Sequence, residues 1–499
     1  MSTARLGIGF AVALACAGVA GATPAHAAEN TQAVVVEGSS VGAAAHAVAG
    51  VGGKVDAELP IVSGVAAHVS PAGMNALDAD ASVVVTPDVT MHPTSDSFDP
   101  SAVDTQLAAV QPSANWSRGA GTGVGVALVD TGVADTPDLH APRLVRAPDF
   151  SGEGDGVDHY GHGTFMAGLI AGDGTASAGQ QPQHFGVAPG ATLISVKVAR
   201  ADGSSSLSRV LEGIGWVVTH RDAYNIGVLN LSFGVDTPLP YLANPLSGAV
   251  EAAWASGITV VASAGNQGDG DVTSPGDDPF VITVGAADTA GTVTTNDDSV
   301  PAWSGHERFF FRYTKPDVVA PGVSVVSLRV PGSTIDTQHP EGRVDDTYFR
   351  GTGTSMSTAM VSGAAAVLLS HHGNATPDDV KGALVSSATA IAGGGRMINL
   401  DGADHATAQA SWWQHFPIAF DGLDRGFDRG MPWTATRWTN DSWAATRWTA
   451  TRWTATRWTA TRWTTFDWEA SRWTASRWTA SRWTASRWTS DAWPSQSWG

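Results

Sequence analysis

The chain has 499 residues, 43% of them hydrophobic, so it is long and apolar enough for several domains around a large buried core. Its formal net charge is −19. This acidic charge excludes nucleic-acid binding as the function, because a nucleic-acid binder needs a basic surface to neutralise phosphates.

Residues 1–27 have the features of a secretory signal peptide. Arg5 gives a positive start, residues 6–19 form an apolar run too short to span a bilayer, and residues 25–27 form an Ala-x-Ala cleavage site. The only cysteine, Cys16, lies inside this segment, so the mature protein has no disulfide. We therefore expect a secreted, extracellular protein.

Residues 28–112 are predicted to form a small separate unit and a linker. Within residues 31–89 the strand and helix patterns follow the order β-α-β-β-α-β, which is that of a ferredoxin-like α+β fold. Residues 92–112 are rich in Ser, Asp and Pro, which is typical of a linker.

Residues 113–402 are predicted to form the main domain, because apolar strand patterns alternate with helical ones. The predicted strands cover residues 124–129, 192–198, 228–231, 259–262 and 280–284. The predicted helices cover residues 163–171, 206–220, 245–256, 355–371 and 377–388. This alternation indicates an α/β fold with a doubly wound, mostly parallel sheet, whose functional residues gather at the carboxyl ends of the strands.

Three local patterns in this domain supply the parts of a nucleophilic hydrolase. Asp130 ends an apolar strand, His162 lies between two glycines at the start of a small-residue helix, and Ser355 follows a Gly/Thr loop at the start of another. A helix N-terminus favours developing negative charge. Taken singly, each residue also fits a structural role. Asp130 could begin an ordinary turn, His162 could be a core histidine, and Ser355 could be the N-cap of a helix.

Together these residues resemble the subtilisin-like serine protease family, the subtilases. The order Asp…His…Ser, with separations of 32 and 193 residues, is the subtilisin order. Further segments similar to the family follow in the expected order, at residues 185–191, 230–234, 264–266 and 315–322. The resemblance covers roughly residues 113–400.

The resemblance implies a role for each residue. Ser355 is the nucleophile, His162 takes and returns its proton, and Asp130 orients the imidazole. Asn266, with the backbone N–H of Ser355, forms the oxyanion hole, and Thr354 assists at the same place. The chemistry then requires no cofactor.

The resemblance also implies a substrate cleft between two strand edges, where backbone pairing binds an extended peptide. The substrate-binding candidates are Gly203 and Ser204 on one edge, Ser232, Phe233 and Gly234 on the other, and Ser263, Ala264 and Gly265 along the specificity pocket. Thr273 stands near the pocket floor, where relatives often have Gly, and is expected to make the pocket shallower.

The sequence departs from the family pattern at several places. Ala359 replaces a usual Pro, and Phe165 replaces a usual His; neither position carries the chemistry. Asp138 resembles a calcium ligand of the family, and this resemblance implies a structural calcium. However, its partner loop at residues 173–184 lacks the Asn-rich pattern, which favours a solvated turn residue. Residues 31–89 match the family's inhibitory propeptide in position and element order.

Residues 403–432 are predicted to be a linker and residues 433–499 a repetitive tail. A tryptophan recurs at every fifth position from Trp433 to Trp498, 14 of the 20 in the chain. From Met431 onward nine Arg stand against four Asp and Glu, so the tail is +5 and residues 1–430 carry −24. The tail fits a pentapeptide-repeat solenoid, a cationic aromatic segment that binds anionic cell wall or membrane, or a low-complexity extension.

The leading hypothesis is a secreted serine endopeptidase acting on proteins and inhibited by its own propeptide. One alternative is a non-catalytic surface-binding protein that keeps the protease fold as a scaffold, although such a protein has no need of the complete catalytic set. Another is a self-processing protease that matures one partner. Activity on unfolded casein separates this last alternative from the first hypothesis.

Overall fold

The computed structural model describes residues 31–93, 106–110, 116, 119–180, 182–235, 241–268, 272–308, 313–406 and 419, and four short strands within residues 438–485. The predicted signal peptide with Cys16 lies outside the described residues, as do most of the predicted linker 403–432 and of the tail.

The N-terminal unit has the predicted β-α-β-β-α-β order. Its elements are β1 (Gln32–Glu37), α1 (Val41–Gly50), β2 (Lys54–Leu59), β3 (Gly64–Val69), α2 (Pro71–Ala79) and β4 (Val84–Pro87). The strands form one antiparallel sheet in the order β2-β3-β1-β4. Ser40 and Ser70 cap the two helices. Val34, Val48 and Leu77 belong to a core separate from that of the main domain.

The predicted linker 92–112 stays a prediction, because residues 94–105 and 111–112 lie outside the described residues. It overlaps a strand, β5 (Thr90–Pro93), and contains a helix, α3 (Gln106–Val110). The sequence around β5, rich in Ser, Asp and Pro, does not indicate a strand. Strand β5 forms because its backbone pairs with β9 and β11 of the main domain, and not because of its own β propensity.

The main domain contains most of the regular structure. Its strands are β6 (Gly125–Asp130), β7 (Leu144–Arg146), β8 (Thr192–Lys197), β9 (Ser205–Ser206), β10 (Ile226–Leu231), β11 (Phe233–Gly234), β12 (Thr259–Ser263), β13 (Ile282–Ala287), β14 (Glu307–Arg308), β15 (Thr314–Lys315), β16 (Val318–Pro321), β17 (Val325–Leu328), β18 (Tyr348–Gly351), β19 (Thr389–Ala390) and β20 (Arg396–Met397). Its helices are α4 (His162–Ala171), α5 (Leu207–Thr219), α6 (Pro245–Ala255), α7 (Thr334–Gln338), α8 (Thr354–His371), α9 (Pro377–Ser387) and α10 (Leu400–Asp404).

Nine of these strands form one sheet in the order β19-β20-β16-β13-β12-β10-β6-β8-β7. Every neighbouring pair is parallel except β19 with β20. All residues of β6, β12 and β13 are buried, as expected for parallel strands covered on both faces. The predicted mostly parallel α/β fold is confirmed.

The predicted strand 280–284 begins two residues too early. The Asp278 carboxylate accepts a hydrogen bond from the Phe280 nitrogen, and the Lys381 ammonium donates to the carbonyl oxygens of residues 279–281. These backbone groups are therefore bonded to side chains, and ladder pairing begins only at Ile282.

Helix α8 runs through the core of the main domain. Residues 354–368 are all buried, and the helix packs on α4 and on β10, β12, β13 and β16. Its residues are small or apolar on every side, which is typical of a helix with no solvent face.

The described parts of the tail are four strands, β21 (Trp438–Asn440), β22 (Trp443–Ala450), β23 (Trp458–Thr464) and β24 (Trp483–Ala485), paired in that order. They do not test what the tail binds. Within the described residues, no helix is both long enough and apolar enough to cross a bilayer.

Candidate active site

The sheet brings the predicted site residues together at one edge. Asp130 is the last residue of β6, Ser232 directly follows β10, and Asn266 lies three residues beyond β12. These three strands are neighbours in the order β12-β10-β6. Their parallel direction places all three carboxyl ends at the same rim, where doubly wound sheets bind ligands.

Asp130 and His162 form a buried pair at this rim. Nδ1 of His162 lies 2.8 Å from one carboxylate oxygen of Asp130 and 3.0 Å from the other. The two side chains are only 1% and 2% exposed. A Cβ added to Gly163 would clash with the carbonyl oxygen of Gly132, so the predicted close backbone approach beside the imidazole is confirmed.

Asp158 fixes the turn that presents His162, and the sequence analysis did not identify it. One of its carboxylate oxygens accepts hydrogen bonds from Thr131 Oγ1 and the Gly161 nitrogen; the other accepts from the nitrogen and hydroxyl of Thr164. Burial raises the pKa of Asp158, while these donors oppose the shift. The sequence did offer one sign of this role: Asp158 lies four residues before His162, just before the start of α4.

Ser355 is the second residue of α8, and the N-cap position belongs to Gly353. The N-cap alternative for Ser355 is therefore wrong. Its hydroxyl donates to the Ser232 carbonyl oxygen at 2.9 Å. His162 Nε2 is buried and has no hydrogen-bond partner among the described residues.

The first turns of α4 and α8 meet beside Gly351. A Cβ placed on Gly351 would lie 2.6 Å from Met356 Cε and 3.4 Å from Phe165 Cζ. Met356 directly follows Ser355, and Phe165 lies three residues after His162. The first turns of the two helices, which carry His162 and Ser355, therefore lie next to each other.

A series of hydrogen bonds between buried polar side chains reaches the backbone of Ser355. Ser362 Oγ donates to Asn230 Oδ1 at 2.8 Å, and Asn230 Nδ2 donates to Ser232 Oγ at 2.9 Å. Ser232 Oγ in turn donates to the Ser355 carbonyl oxygen at 3.2 Å. All of these side chains are buried, so these hydrogen bonds couple β10 to α8 at Ser355.

Asn266 is held by Thr354, which precedes Ser355. Asn266 Oδ1 accepts hydrogen bonds of 3.0 Å from both the nitrogen and the hydroxyl of Thr354. With its oxygen fixed on Thr354, the amide presents its Nδ2 donor on the other branch. In this structure the Thr354 hydroxyl orients Asn266, whereas its predicted direct part in an oxyanion hole stays a prediction.

Strand β5 lies in the predicted substrate cleft. It pairs antiparallel with β11 on one side, with Pro93 opposite Phe233 and His92 opposite Gly234. On the other side it pairs antiparallel with β9. The result is a three-stranded sheet, β11-β5-β9, with β5 at its centre.

Gly203 and Ser204 lie in the turn before β9 and do not pair with β5. Gly203 has a φ of +80°, and its nitrogen donates to the Arg200 carbonyl oxygen at 2.9 Å. Asp202 accepts from both the nitrogen and the hydroxyl of Ser204, which closes the turn. The edge that pairs with β5 is therefore Ser205–Ser206, two residues further on.

Thr273 stands between two segments of the predicted specificity pocket. A Cβ added to Gly234 would clash with Thr273 Oγ1, and one added to Gly265 would lie 3.0 Å from it. The hydroxyl is buried and has no hydrogen-bond partner among the described residues. The Thr273 nitrogen donates to the Ala264 carbonyl oxygen at 3.1 Å, which ties this residue to the same wall.

Asp138 is buried, so its interpretation as a solvated turn residue is wrong, and its surroundings do not fit a calcium ion either. The Arg143 guanidinium donates to the carbonyl oxygens of Ala171, Pro189 and Asp138 and to the Asp173 carboxylate. A protein cation therefore occupies the carbonyl cluster beside Asp138. Burial raises the pKa of Asp138, whose carboxylate already accepts the Ala176 nitrogen. The described residues contain no group of three or more His, Cys, Asp or Glu arranged to hold a metal.

This fold, with an Asp–His pair at the sheet rim and a serine at the start of the central helix, is that of the subtilisin-type serine endopeptidases. The sequence model of the subtilase family matches residues 121–409, well over half of the chain. The chain belongs to the subtilase family.

Several relatives share this domain. The chain is 40% identical to Serine protease AprX of Bacillus subtilis over 269 residues, which are 52% of the chain and 60% of AprX. It is 33% identical to Subtilisin Savinase of Lederbergia lenta over 307 residues, which are 61% of the chain and 97% of Savinase.

Among solved structures, the crystal structure of fervidolysin from Fervidobacterium pennivorans, a keratinolytic enzyme related to subtilisin, has the same fold. The TM-score is 0.61 at 22% identity, covering 77% of the chain and 62% of fervidolysin. The chain thus spans less than two thirds of AprX and of fervidolysin.

Proposed function

We propose that the protein is a secreted serine endopeptidase that cleaves peptide bonds through an acyl-enzyme on Ser355. The observation that carries the proposal is the buried Asp130–His162 pair beside the start of α8, where Ser355 sits. His162 Nε2, with no partner among the described residues, is the atom that takes the proton of Ser355 Oγ. A rotation of the Ser355 side chain from the Ser232 carbonyl toward the imidazole begins the reaction.

The remaining roles follow from this geometry. Asp130 keeps the imidazole oriented and stabilises its charged form, and His162 returns the proton to the leaving amine. Asn266 Nδ2 and the Ser355 backbone nitrogen stabilise the oxyanion. The walls at Ser232–Gly234 and Ser263–Gly265 bind the residues before the scissile bond. No step needs a metal or an organic cofactor.

The proposal includes a zymogen in which the N-terminal unit is an inhibitory propeptide. Strand β5 fills the cleft between β9 and β11, where a substrate would bind. Asp88 adds a contact at the start of α5, because its carboxylate accepts the nitrogen and hydroxyl of Ser208 at 2.9 and 2.6 Å. Activation requires a cut between β5 and the main domain.

The test is labelling of the secreted protein with a fluorophosphonate probe, which forms a covalent bond to an activated serine and releases fluoride. Wild type should give one labelled band smaller than the full chain, and Ser355→Ala should give none. A folded wild-type protein that takes up no label and keeps its full length would favour the scaffold alternative.

We further propose that residues 433–499 attach the enzyme to an anionic envelope surface. The support is compositional, with nine Arg among 14 regularly spaced Trp. The full chain should co-sediment with cell envelopes and be released by salt, while a chain ending at residue 432 stays in solution. Equal sedimentation of the two chains would exclude the tail as the anchor.

A further inference from the structure

Ala419 is buried against the main domain, although it lies in the stretch 403–432 that the sequence predicts to be a linker. Its exposed fraction is 0%. Its backbone nitrogen donates a hydrogen bond of 2.7 Å to Glu251 Oε2. Glu251 belongs to α6 and is itself only 3% exposed. The contact therefore joins two buried groups that are 168 residues apart in the chain.

The Glu251 carboxyl group offers a charged acceptor to this nitrogen. Residues 245–254 of α6 are all buried, so a carboxyl group on this helix depends on donors from the protein. Glu251 also forms a side-chain hydrogen bond with Asp278. A hydrogen bond between two carboxyl groups needs one proton, so the pair holds a single negative charge. The Ala419 N–H donates to this charged pair, and charge-assisted bonds are about twice as strong as neutral ones.

Both ends of α6 are fixed, which holds Glu251 in place. Asn244 caps the N-terminus of the helix, and its Nδ2 donates to Ser274 Oγ at 2.6 Å. Near the other end, Trp254 Nε1 donates to Asp378 Oδ1 of α9 at 3.3 Å. The carboxyl group of Glu251 therefore has a fixed position, where it can hold a second segment of the chain.

The N-terminal unit also covers α6. Residues 60–62, between β2 and β3, contact both α5 and α6, and Val62 is buried in the same apolar cluster as Val250 of α6. The activation proposed above removes this cover. The contact between Ala419 and Glu251 does not involve the N-terminal unit, so it remains in the mature enzyme.

The sequence around Ala419 suits a segment that docks on a protein surface. Residues 416–420 are Phe-Pro-Ile-Ala-Phe, five apolar residues in a row between His415 and Asp421. A solvated linker gains nothing from such a run, whereas docking removes its apolar area from water.

We propose that the surface of α6 around Glu251 is a docking site for the C-terminal extension of the same chain, with Ala419 as the anchor. The extension stabilises the catalytic domain, which therefore needs the chain to continue to about residue 420. A cut before Ala419 removes the anchor together with the tail, while a cut beyond residue 432 leaves the stability of the enzyme unchanged. This role is separate from catalysis and from the proposed attachment of the tail to an envelope.

Hydrogen exchange tests the anchor directly. The full-length chain carries Ser355→Ala to prevent autolysis, and exchange is followed by mass spectrometry of peptides that contain the Ala419 amide. Addition of Glu251→Ala should make this amide exchange at least about tenfold faster, as expected for the loss of a hydrogen bond to a charged group. Glu251→Gln is the matched control and should exchange like the parent chain, because Gln can accept from Ala419 and donate to Asp278.

Two shortened chains, again with Ser355→Ala, measure what the extension contributes to stability. The chain that ends at residue 432 keeps the anchor and should unfold at the same temperature as the full-length chain. The chain that ends at residue 406 lacks the anchor and should unfold at a temperature lower by about 3 °C or more. Glu251→Ala should lower the unfolding temperature more in the longer of these two chains, because only that chain contains Ala419.

A substitution at Ala419 gives the same test without changing the main domain, should Glu251→Ala or the shorter chain fail to fold. Ala419→Pro removes the N–H donor and should lower the unfolding temperature of the chain that ends at residue 432. Ala419→Gly keeps the donor and should lower it less.

Equal unfolding temperatures for the two shortened chains, or equally fast exchange at Ala419 with and without Glu251→Ala, would overturn the docking site. Neither result affects the endopeptidase function, which is tested separately by labelling of Ser355.

Discussion

The side-chain oxygen of Asn266 accepts two hydrogen bonds from Thr354, one from its nitrogen and one from its hydroxyl, each 3.0 Å long. The orientation of the Asn266 amide therefore depends on the residue before the nucleophile. Asn266→Ala should lower kcat with little change in KM, because the amide donates only to the developing oxyanion; within the subtilisin family such a loss costs about a hundredfold or more.

Thr354→Val keeps the backbone hydrogen bond and removes the hydroxyl. We expect kcat to fall by about threefold to tenfold, the effect of one hydrogen bond. Thr354→Ser restores the hydroxyl and should recover most of the rate on the same peptide substrate. A Val variant with unchanged kcat would show that the backbone bond alone orients Asn266.

Thr273 should restrict the residue that precedes the scissile bond, because its side chain fills the space between Gly234 and Gly265. Thr273→Gly should raise kcat/KM for a Phe peptide relative to an Ala peptide by about tenfold or more. Thr273→Ser is the control, since it removes one methyl group and keeps the hydroxyl. A ratio that is unchanged in the Gly variant would place the pocket floor elsewhere.

Asp88 should strengthen inhibition by the N-terminal unit through its two hydrogen bonds to Ser208. Asp88→Ala should raise the inhibition constant by about tenfold or more, as expected for the loss of hydrogen bonds to a charged group. The constant is measured with residues 28–93 added to mature enzyme, after circular dichroism has shown that both versions fold alike. Asp78→Ala, elsewhere in the same unit, should inhibit as well as the wild type does.

Arg143 should make a calcium ion unnecessary beside Asp138. A chelator should leave the temperature of unfolding unchanged, because the guanidinium already satisfies three carbonyl oxygens and Asp173. Arg143→Ala should lower the free energy of unfolding by about 2–4 kcal/mol, since it leaves these acceptors unpaired. Arg146→Ala should cost less than about 1 kcal/mol, because Arg146 pairs with the exposed Asp135. A loss of stability in chelator would contradict this assignment.

Asp278 should make stability depend on pH. Burial raises its pKa from 3.8 to about 6, while Lys315 and Lys381 oppose the shift and the neighbouring carboxyl groups are those of Glu251 and Asp277. A raised folded-state pKa means that the contribution is complete below pH 4 and is lost as the pH rises through 6.

Denaturant unfolding between pH 4 and 8 measures this contribution, on a Ser355→Ala background that prevents autolysis. Asp278→Asn keeps the acceptor for the Phe280 nitrogen and should make the curve less steep in this range, while the part that remains is due to Asp277, whose pKa burial raises to about 7. Asp222→Asn, at a side chain 90% exposed, should leave the curve unchanged. Parallel curves for wild type and the Asp278 variant would assign the pH dependence to another group.

The positions of Asp130, His162 and Ser355 at element ends were predictable, because each lies next to a strong local pattern. Asp130 closes a fully buried strand, and Ser355 starts a helix of small residues. The glycines around His162 were also informative, because a side chain at Gly163 has no room.

Other parts of the site could not be predicted because distant segments create them. Asp158 finds its donors only after the chain has turned into α4. Strand β5 has no apolar pattern of its own and is defined by backbone pairing with β9 and β11. The cluster in which Asp336 accepts hydrogen bonds from Arg329 and Arg343 carries no sequence motif.

In the zymogen proposed above, the central position of β5 determines when proteolysis begins. While the chain is intact, β5 is present at the cleft at an effective concentration of roughly millimolar, because the N-terminal unit and the main domain are covalently linked. After one cut in the chain, binding of β5 to the cleft becomes an association of two separate molecules, the N-terminal unit and the enzyme, at equal concentrations. Activity then depends on how far the two pieces diffuse apart, so release is governed by dilution and comes later in a confined space at the cell surface than in open medium.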